Sequence, residues 1–434
     1  MCVAPSIIFC TIMSVERGYC EGLQNMIPTA VSEVIETLFK LILGLGFAYG
    51  LMYHISDMYD KTGMIFGTAY ENSRQAASAA LPFIAAIACL YILISGKIKG
   101  DSVTKQMLQR DTITDPTGAT AKKLIVCCLP IALISVIMTF ANMIDMLTVN
   151  PCIKAAMKGS PHTFDNLLSD KLTTDMLPNF IYGSYTGLAV TVFGLVPTIT
   201  AMFGKSILPS LAESCAKNDK KAMQSGLTKM LIVTSIIAIP AGMGIAVLSE
   251  PILRFLFGGR ETEIQVCIMP MSILGIAVIF LAIATPCFAI LQTLGKPHKA
   301  IIIMLAGGII KLFLNIILIR QPIINISGAA ISTLVSEVFI CVLSVRSVCK
   351  MDLKPKVSEI FVKPTYAAIM CSVTAILSHE TLTKIAHLQI NHRFVTLFSI
   401  GIGSTMYFFC LYLLCETPKN IVNCIFSKKN PQNP

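Results

Sequence analysis

Eleven long apolar runs, parted by short polar connections, leave this chain very few folds. They fall at 3–15, 28–53, 75–96, 122–146, 179–204, 228–253, 264–292, 298–319, 326–347, 360–378 and 394–415. Most match the roughly 20 residues a helix needs to cross the hydrocarbon core, and they lack the two-residue alternation of a barrel strand. Only 13% of the 434 residues are charged against 54% hydrophobic, with a mean hydropathy of +0.73. A soluble chain would carry about 25% charge. The fold class is therefore all-α integral membrane. The first run is short, ending at Glu16 and Arg17, below the ~17 residues a span needs, and reads as a cut helix. It has neither the basic lead nor the small-residue cleavage site of a signal peptide.

Two distant runs share a layout. Leu23 and Gln24 precede Pro28 and a run holding Lys40; Leu291 and Gln292 precede Pro297 and a run holding Lys311. Such an internal repeat implies two duplicated halves, a common plan among membrane transporters. The later copy is preceded by three further spans in the region from Lys122 onward, but only some twenty residues precede the earlier one, so the chain is expected to begin partway through its first half. The expected division is 1–121 as the remnant of an N-terminal lobe, 122–350 as a C-terminal lobe, 351–420 as two extra helices and 421–434 as a cytoplasmic tail.

Basic residues set the orientation. With the connection after the second run outside, 22 Lys and Arg fall on cytoplasmic segments and 10 on the other side, which puts the C-terminus in the cytoplasm. The net charge of +10 is then a topology signal with a secondary attraction to anionic lipid. Scattered over separate loops without a recognition motif, it does not call for nucleic acid. The sixteen cysteines form no C-x-x-C pair and read as reduced apolar fillers. Gly96–Ala121 and Thr148–Pro178 read as loops, Glu213–Gln224 (ESCAKNDKKAMQ) as a short amphipathic helix and Ser427–Pro434 as a disordered tail. Gly44–Gly50 (GLGFAYG) lies inside a span and is no nucleotide loop. His379 and Glu380 lack the second histidine of a metalloprotease, so no metal and no cofactor are expected. Pro28, Pro240, Pro270, Pro286 and Pro364 are expected to kink their spans.

An ionisable side chain at mid-membrane costs about 2.5–3.5 kcal/mol, so each one is a functional candidate. Glu33, Glu36 and Lys40 share a span, with Glu36 and Lys40 one turn apart and able to pair. The competing reading is a mutually neutralising structural pair, or side chains that snorkel to an interface. Glu337 is a further intramembrane carboxylate, either a cavity group or a partner for Lys311.

Four blocks carry a family resemblance. They are Arg17 to Tyr19 with Glu21 to Met26 and Pro28 to Ala30; Asn142 to Asp145 (NMID); Tyr182, Gly183, Thr186 and Gly187 with Ser206 to Pro209; and Ile290 to Pro297 (ILQTLGKP). In this order and spacing the chain resembles the stage V sporulation protein B and lipid II flippase-like branch of the multidrug/oligosaccharidyl-lipid/polysaccharide exporter superfamily. The resemblance implies a two-lobed exporter fold with about 11 of 14 transmembrane helices, the first three missing. Two of those missing helices supply cavity arginines in lipid II flippases, and Cys20, Glu21 and Glu33 stand where an aromatic residue and two glutamines are expected.

The function so implied is alternating-access flipping of polyprenyl-pyrophosphate-linked saccharide precursors of peptidoglycan or another wall polysaccharide, by a monomer in the cell membrane. Its partners would be the lipid-linked oligosaccharide and membrane lipid, with no nucleic acid and no enzymatic step. Substrate-binding candidates are Arg17, Glu36, Lys40, Lys311 and Glu337, with Arg17 and Lys40 contacting the pyrophosphate or lining its path. Some relatives hold sodium between the seventh, eleventh and twelfth family helices. The matching positions here are Asp145, Lys311, Asn315 and Thr333, and the Lys311 ammonium is expected to replace the ion. A solvated Asp145 in the outer headgroup zone is the competing reading. The last two spans would form the groove for the lipid tail. Alternatives are a drug/cation antiporter of the same superfamily, which usually stops at twelve helices, a membrane polysaccharide ligase or polymerase, and an inactive fragment.

Overall fold

The computed structural model describes residues 4–23, 27–62, 69–99, 117–159, 176–217, 219–350, 358–386 and 392–414, and every regular element among them is helical. Contacts divide the chain into two compact units, Met1–Thr117 and Gly118–Pro434.

The first unit holds α1 (Ala4–Gly22), α2 (Ile27–Thr62) and α3 (Ala69–Lys99). Helix α1 does not stop at the end of its apolar run. It continues through Glu16 and Arg17 to Gly22, a helix of 19 residues, with Met13 buried against Ala88, Cys89 and Ile92 of α3. Helix α2 packs along α3, with the Phe47 and Phe83 rings stacked at 6.2 Å. Pro28 sits in the first turn of α2, where its missing N–H has no helical partner to lose, so it does not kink the span as expected.

The second unit begins with α4 (Thr117–Gly159). A single continuous helical run follows, made of α5 (Leu177–Ser184), a π-helical turn (Tyr185–Val190) and α6 (Thr191–Ala216). The remaining helices are α7 (Lys220–Val247), α8 (Ser249–Phe257), α9 (Glu261–Thr293), α10 (Pro297–Leu318), α11 (Ser327–Cys349), α12 (Lys363–Ala386) and α13 (His392–Leu414). Among the described residues seven helices, all in this unit, are long and apolar enough to cross a membrane. The protein is a multi-pass, all-α membrane protein.

Helix α9 is the centre of this unit, packing against α6, α7, α8 and α11, as suits a helix apolar on every side. Its approach to α7 depends on glycine. A Cβ on Gly275 would lie 2.5 Å from the Ala246 backbone nitrogen, and one on Gly242 would lie 2.5 Å from the Gly275 carbonyl oxygen. Such contact between small residues is how helices associate where no hydrophobic gain distinguishes protein from lipid. The Ser272 hydroxyl spans the same crossing and donates to Ala246 O at 2.7 Å.

The Ile290–Pro297 block has a plain mechanical reading. Gly295 takes φ +67, Lys296 N donates back to Leu291 O at 2.9 Å, and Pro297 opens α10. Glycine tolerates that left-handed turn, and proline suits the first helical position.

Two expected connections are corrected. Glu213–Gln224 is not a helix of its own but the junction of two, since α6 ends at Ala216 and Asp219 caps α7 by accepting from Lys221 N and Ala222 N at 3.0 and 3.1 Å. The stretch expected to be a loop from Thr148 is helical as far as Gly159, because Val149, Cys152, Ile153 and Ala156 form one apolar stripe buried against Leu177, Ile181 and Tyr185. The rest of that segment, 160–175, lies outside the described residues, as do most of the connection before α4 and the tail Ser427–Pro434. Pro240, Pro270 and Pro286 are inside helices, and Pro364 is the second residue of α12, just after a π-helical turn, Ser358–Val362.

Candidate functional site

Among the described residues, each unit holds a cluster of charge on its apolar helices. In the first, Arg17 reaches from α1 to α2, donating from Nε to Ser32 Oγ at 2.8 Å and from its guanidinium to Glu36 Oε2 at 3.0 Å. Lys40, one turn beyond Glu36, donates to Oε1 at 2.7 Å. One carboxylate thus sits between two cations, leaving a net positive cluster. Lys40 is half exposed while Arg17 and Glu36 are largely buried, so the exposed charge of the cluster is the lysine.

In the second unit the sequence candidates converge on Asp145. Lys311 Nζ donates to Asp145 Oδ2 at 2.8 Å and Asn315 Nδ2 donates to Oδ1 at 2.9 Å, one turn apart on α10. Asn315 is fully buried and its amide is used completely: Nδ2 also donates to Thr148 Oγ1 at 3.0 Å, and Oδ1 accepts from the Ser332 hydroxyl. Thr148 in turn donates to Ile144 O. The network therefore ties α4, α10 and α11 together through one charge pair and one amide. The Lys311 and Asp145 side chains are 11% and 14% exposed, which removes most of the screening water would give.

Two of its hydroxyls, Thr148 and Ser332, were not among the sequence candidates. Their signal was their position, three residues after Asp145 and one before Thr333. Thr333 itself donates within its own helix to Ala329 O, and the fully buried Tyr185 of the π-helical turn approaches it. π-Helical turns of this kind are frequent at functional sites. Glu337 lies one turn further along α11, its Oε2 enclosed and without a hydrogen-bond partner.

A third feature is apolar. Helices α7 and α8 face α12 and α13 across a cavity of about 570 Å³ lined by Pro240, Ile245, Ala375, Gly403, Tyr407 and Phe408 among others. Pro240 has no N–H to give to Ile236 O, and the Tyr407 hydroxyl fills that gap, donating to the carbonyl at 2.9 Å. The proline opens the wall and the tyrosine satisfies what it leaves bare.

A family model described as Lipid II flippase MurJ matches residues 181–403, just over half of the chain. The chain belongs to the MurJ family. Among curated MurJ relatives, the lipid II flippase MurJ of Bacillus subtilis (strain 168) is 25% identical over 337 residues, covering 76% of this chain and 56% of its own length. Stage V sporulation protein B of the same organism is 22% identical over 362 residues, covering 81% of this chain and 61% of its own. The chain thus spans less than two thirds of the length of either. A solved lipid II flippase MurJ, in an inward closed conformation, superposes with a TM-score of 0.56 at 15% identity, over 95% of this chain and 73% of that one. The fold is that of MurJ. The matched region takes in the π-helical turn, Lys311, Asn315, Glu337 and most of the apolar cavity's wall, and leaves Asp145, Tyr407, Phe408 and the first unit outside it.

Proposed function

We propose that this chain is a flippase for a saccharide carried on a polyprenyl pyrophosphate, working by alternating access without covalent chemistry. The observation that carries the proposal is the pairing, within one unit of MurJ fold, of a largely apolar cavity with a buried cation-bearing network. A lipid-linked saccharide needs both environments, an apolar one for its chain and a charged one for its pyrophosphate. Arg17, Lys40 and Lys311 are the cations proposed to meet or escort the phosphates, with Glu36 and Glu337 setting their charge. The cavity between α7, α8, α12 and α13 is proposed to take the lipid tail.

In this reading Lys311 stands where relatives are expected to hold sodium. An ammonium 2.8 Å from Asp145 already supplies the positive charge, and Asn315 fills the other carboxylate oxygen. A free cation would meet a carboxylate whose two oxygens each already accept a hydrogen bond and whose charge the ammonium already balances, so transport is expected to run without sodium.

Thermal unfolding in detergent tests the cargo. A polyprenyl-pyrophosphate-linked saccharide should stabilise the protein, by about 2.7 kcal/mol at a hundredfold excess over Kd, and the water-soluble headgroup alone should not. Ser404→Phe, from an exposed position on the cavity wall in α13, should fill the cavity and abolish the lipid-dependent gain. Stabilisation by lipophilic cations and not by the lipid-linked saccharide would point to a drug antiporter and overturn the proposal.

A further inference from the structure

We propose that Glu337 is a proton-binding site, an exchangeable carboxylic acid that competes with Asp145 for the single ammonium of Lys311. The geometry gives two carboxyl groups and one cation. Lys311 is committed to Asp145 at 2.8 Å, and Asn315 completes that carboxylate. Glu337, on α11, senses the same lysine, yet its Oε2 is enclosed and accepts no hydrogen bond. Ionised, that oxygen would carry charge with no hydrogen bond to hold it, a costly state inside an apolar bundle. A protonated one is neutral, and the cluster then sums to zero.

The groups around Glu337 leave few other ways to balance it. Helices α9 and α10 pack on α11. From α10 the facing charge is Lys311; along α11 the neighbour is Cys341; and Cys287 of α9 lies against Cys341. Lys311 is therefore the one cation described beside Glu337. When Glu337 gives its proton to water, the carboxylate left behind draws the ammonium toward α11 and loosens Asp145 on α4. When it takes a proton from water, Lys311 returns to Asp145. Proton binding on α11 is thus linked to the bond joining α10 to α4, and that link is a route by which a proton gradient could bias the helices.

Infrared difference spectroscopy on the full chain in lipid nanodiscs tests this without any substrate. At neutral pH the wild type should show the carbonyl band of a protonated carboxylic acid, well above the amide band, and the band should vanish as the pH is raised. Glu337→Gln should lack that band, and Glu337→Asp should shift it while keeping the fold. In Lys311→Met the Glu337 band should persist to more alkaline pH, because the ammonium that favours the carboxylate is gone. Absence of any neutral-pH band that depends on Glu337, or a band indifferent to Lys311, would overturn the proposal.

Discussion

A lysine among apolar helices is tolerable only beside a carboxylate, and in this protein the carboxylate comes from a helix 166 residues away in sequence. The pair is therefore a clamp between α4 and α10, and cutting one side should cost more than the pair is worth. Asp145→Asn leaves the Lys311 ammonium only Glu337 to turn to and is expected to destabilise by up to about 3–5 kcal/mol in thermal unfolding, whereas Asp145→Leu with Lys311→Met should recover more than half of that. Equal loss in single and double variants would mean that the charges are not coupled. Lys311 was legible in the sequence because charges inside spans are rare, whereas its grouping with Asp145 and Asn315 came from the family resemblance. Thr148 and Ser332 were not legible, since hydroxyls are common in membrane helices and most only donate to their own backbone, as Thr333 does. Only the packing of three helices distinguishes the two hydroxyls that serve Asn315.

Among the elements, proline and glycine do the shaping. Pro240 leaves the Ile236 carbonyl without its helical partner and Tyr407 supplies one from α13, so Tyr407→Phe should lower stability by about 1 kcal/mol while Tyr412→Phe, on the exposed face, should leave it unchanged. Gly275→Ala should cost on the order of 1–3 kcal/mol, because its Cβ meets backbone that cannot turn aside. Thermal unfolding of the three variants side by side measures both effects. The later spans could be read from their apolar runs almost to the residue, as α9, α10 and α11 illustrate, since Gly295 and Pro297 punctuate them. The end of α4 could not, because Asn150, Lys154 and Lys158 interleave its apolar stripe and lower the local average, although the stripe itself keeps helical spacing. Glu213–Gln224 misled for the opposite reason: polar residues on both sides of a tight turn imitate an amphipathic helix, and Asp219 is its cap.

At the scale of the molecule, the chain has the MurJ fold and a MurJ family match over 181–403, together with charge clusters in both units and an apolar cavity in the second. The proposed work of these parts is to carry a charged saccharide headgroup past the bilayer while its chain stays in an apolar setting, with Lys311 as a built-in cation. The most direct measurement is headgroup translocation in proteoliposomes, following a fluorescent polyprenyl-pyrophosphate-linked saccharide with a quencher that cannot cross the membrane, in sodium and in choline buffers. The account predicts that labelled headgroups cross at the same rate in both buffers, and that Lys311→Met slows the rate by about tenfold or more, the loss of roughly 1.4 kcal/mol at the barrier. Translocation no faster than in protein-free vesicles, or translocation that requires sodium, would contradict it.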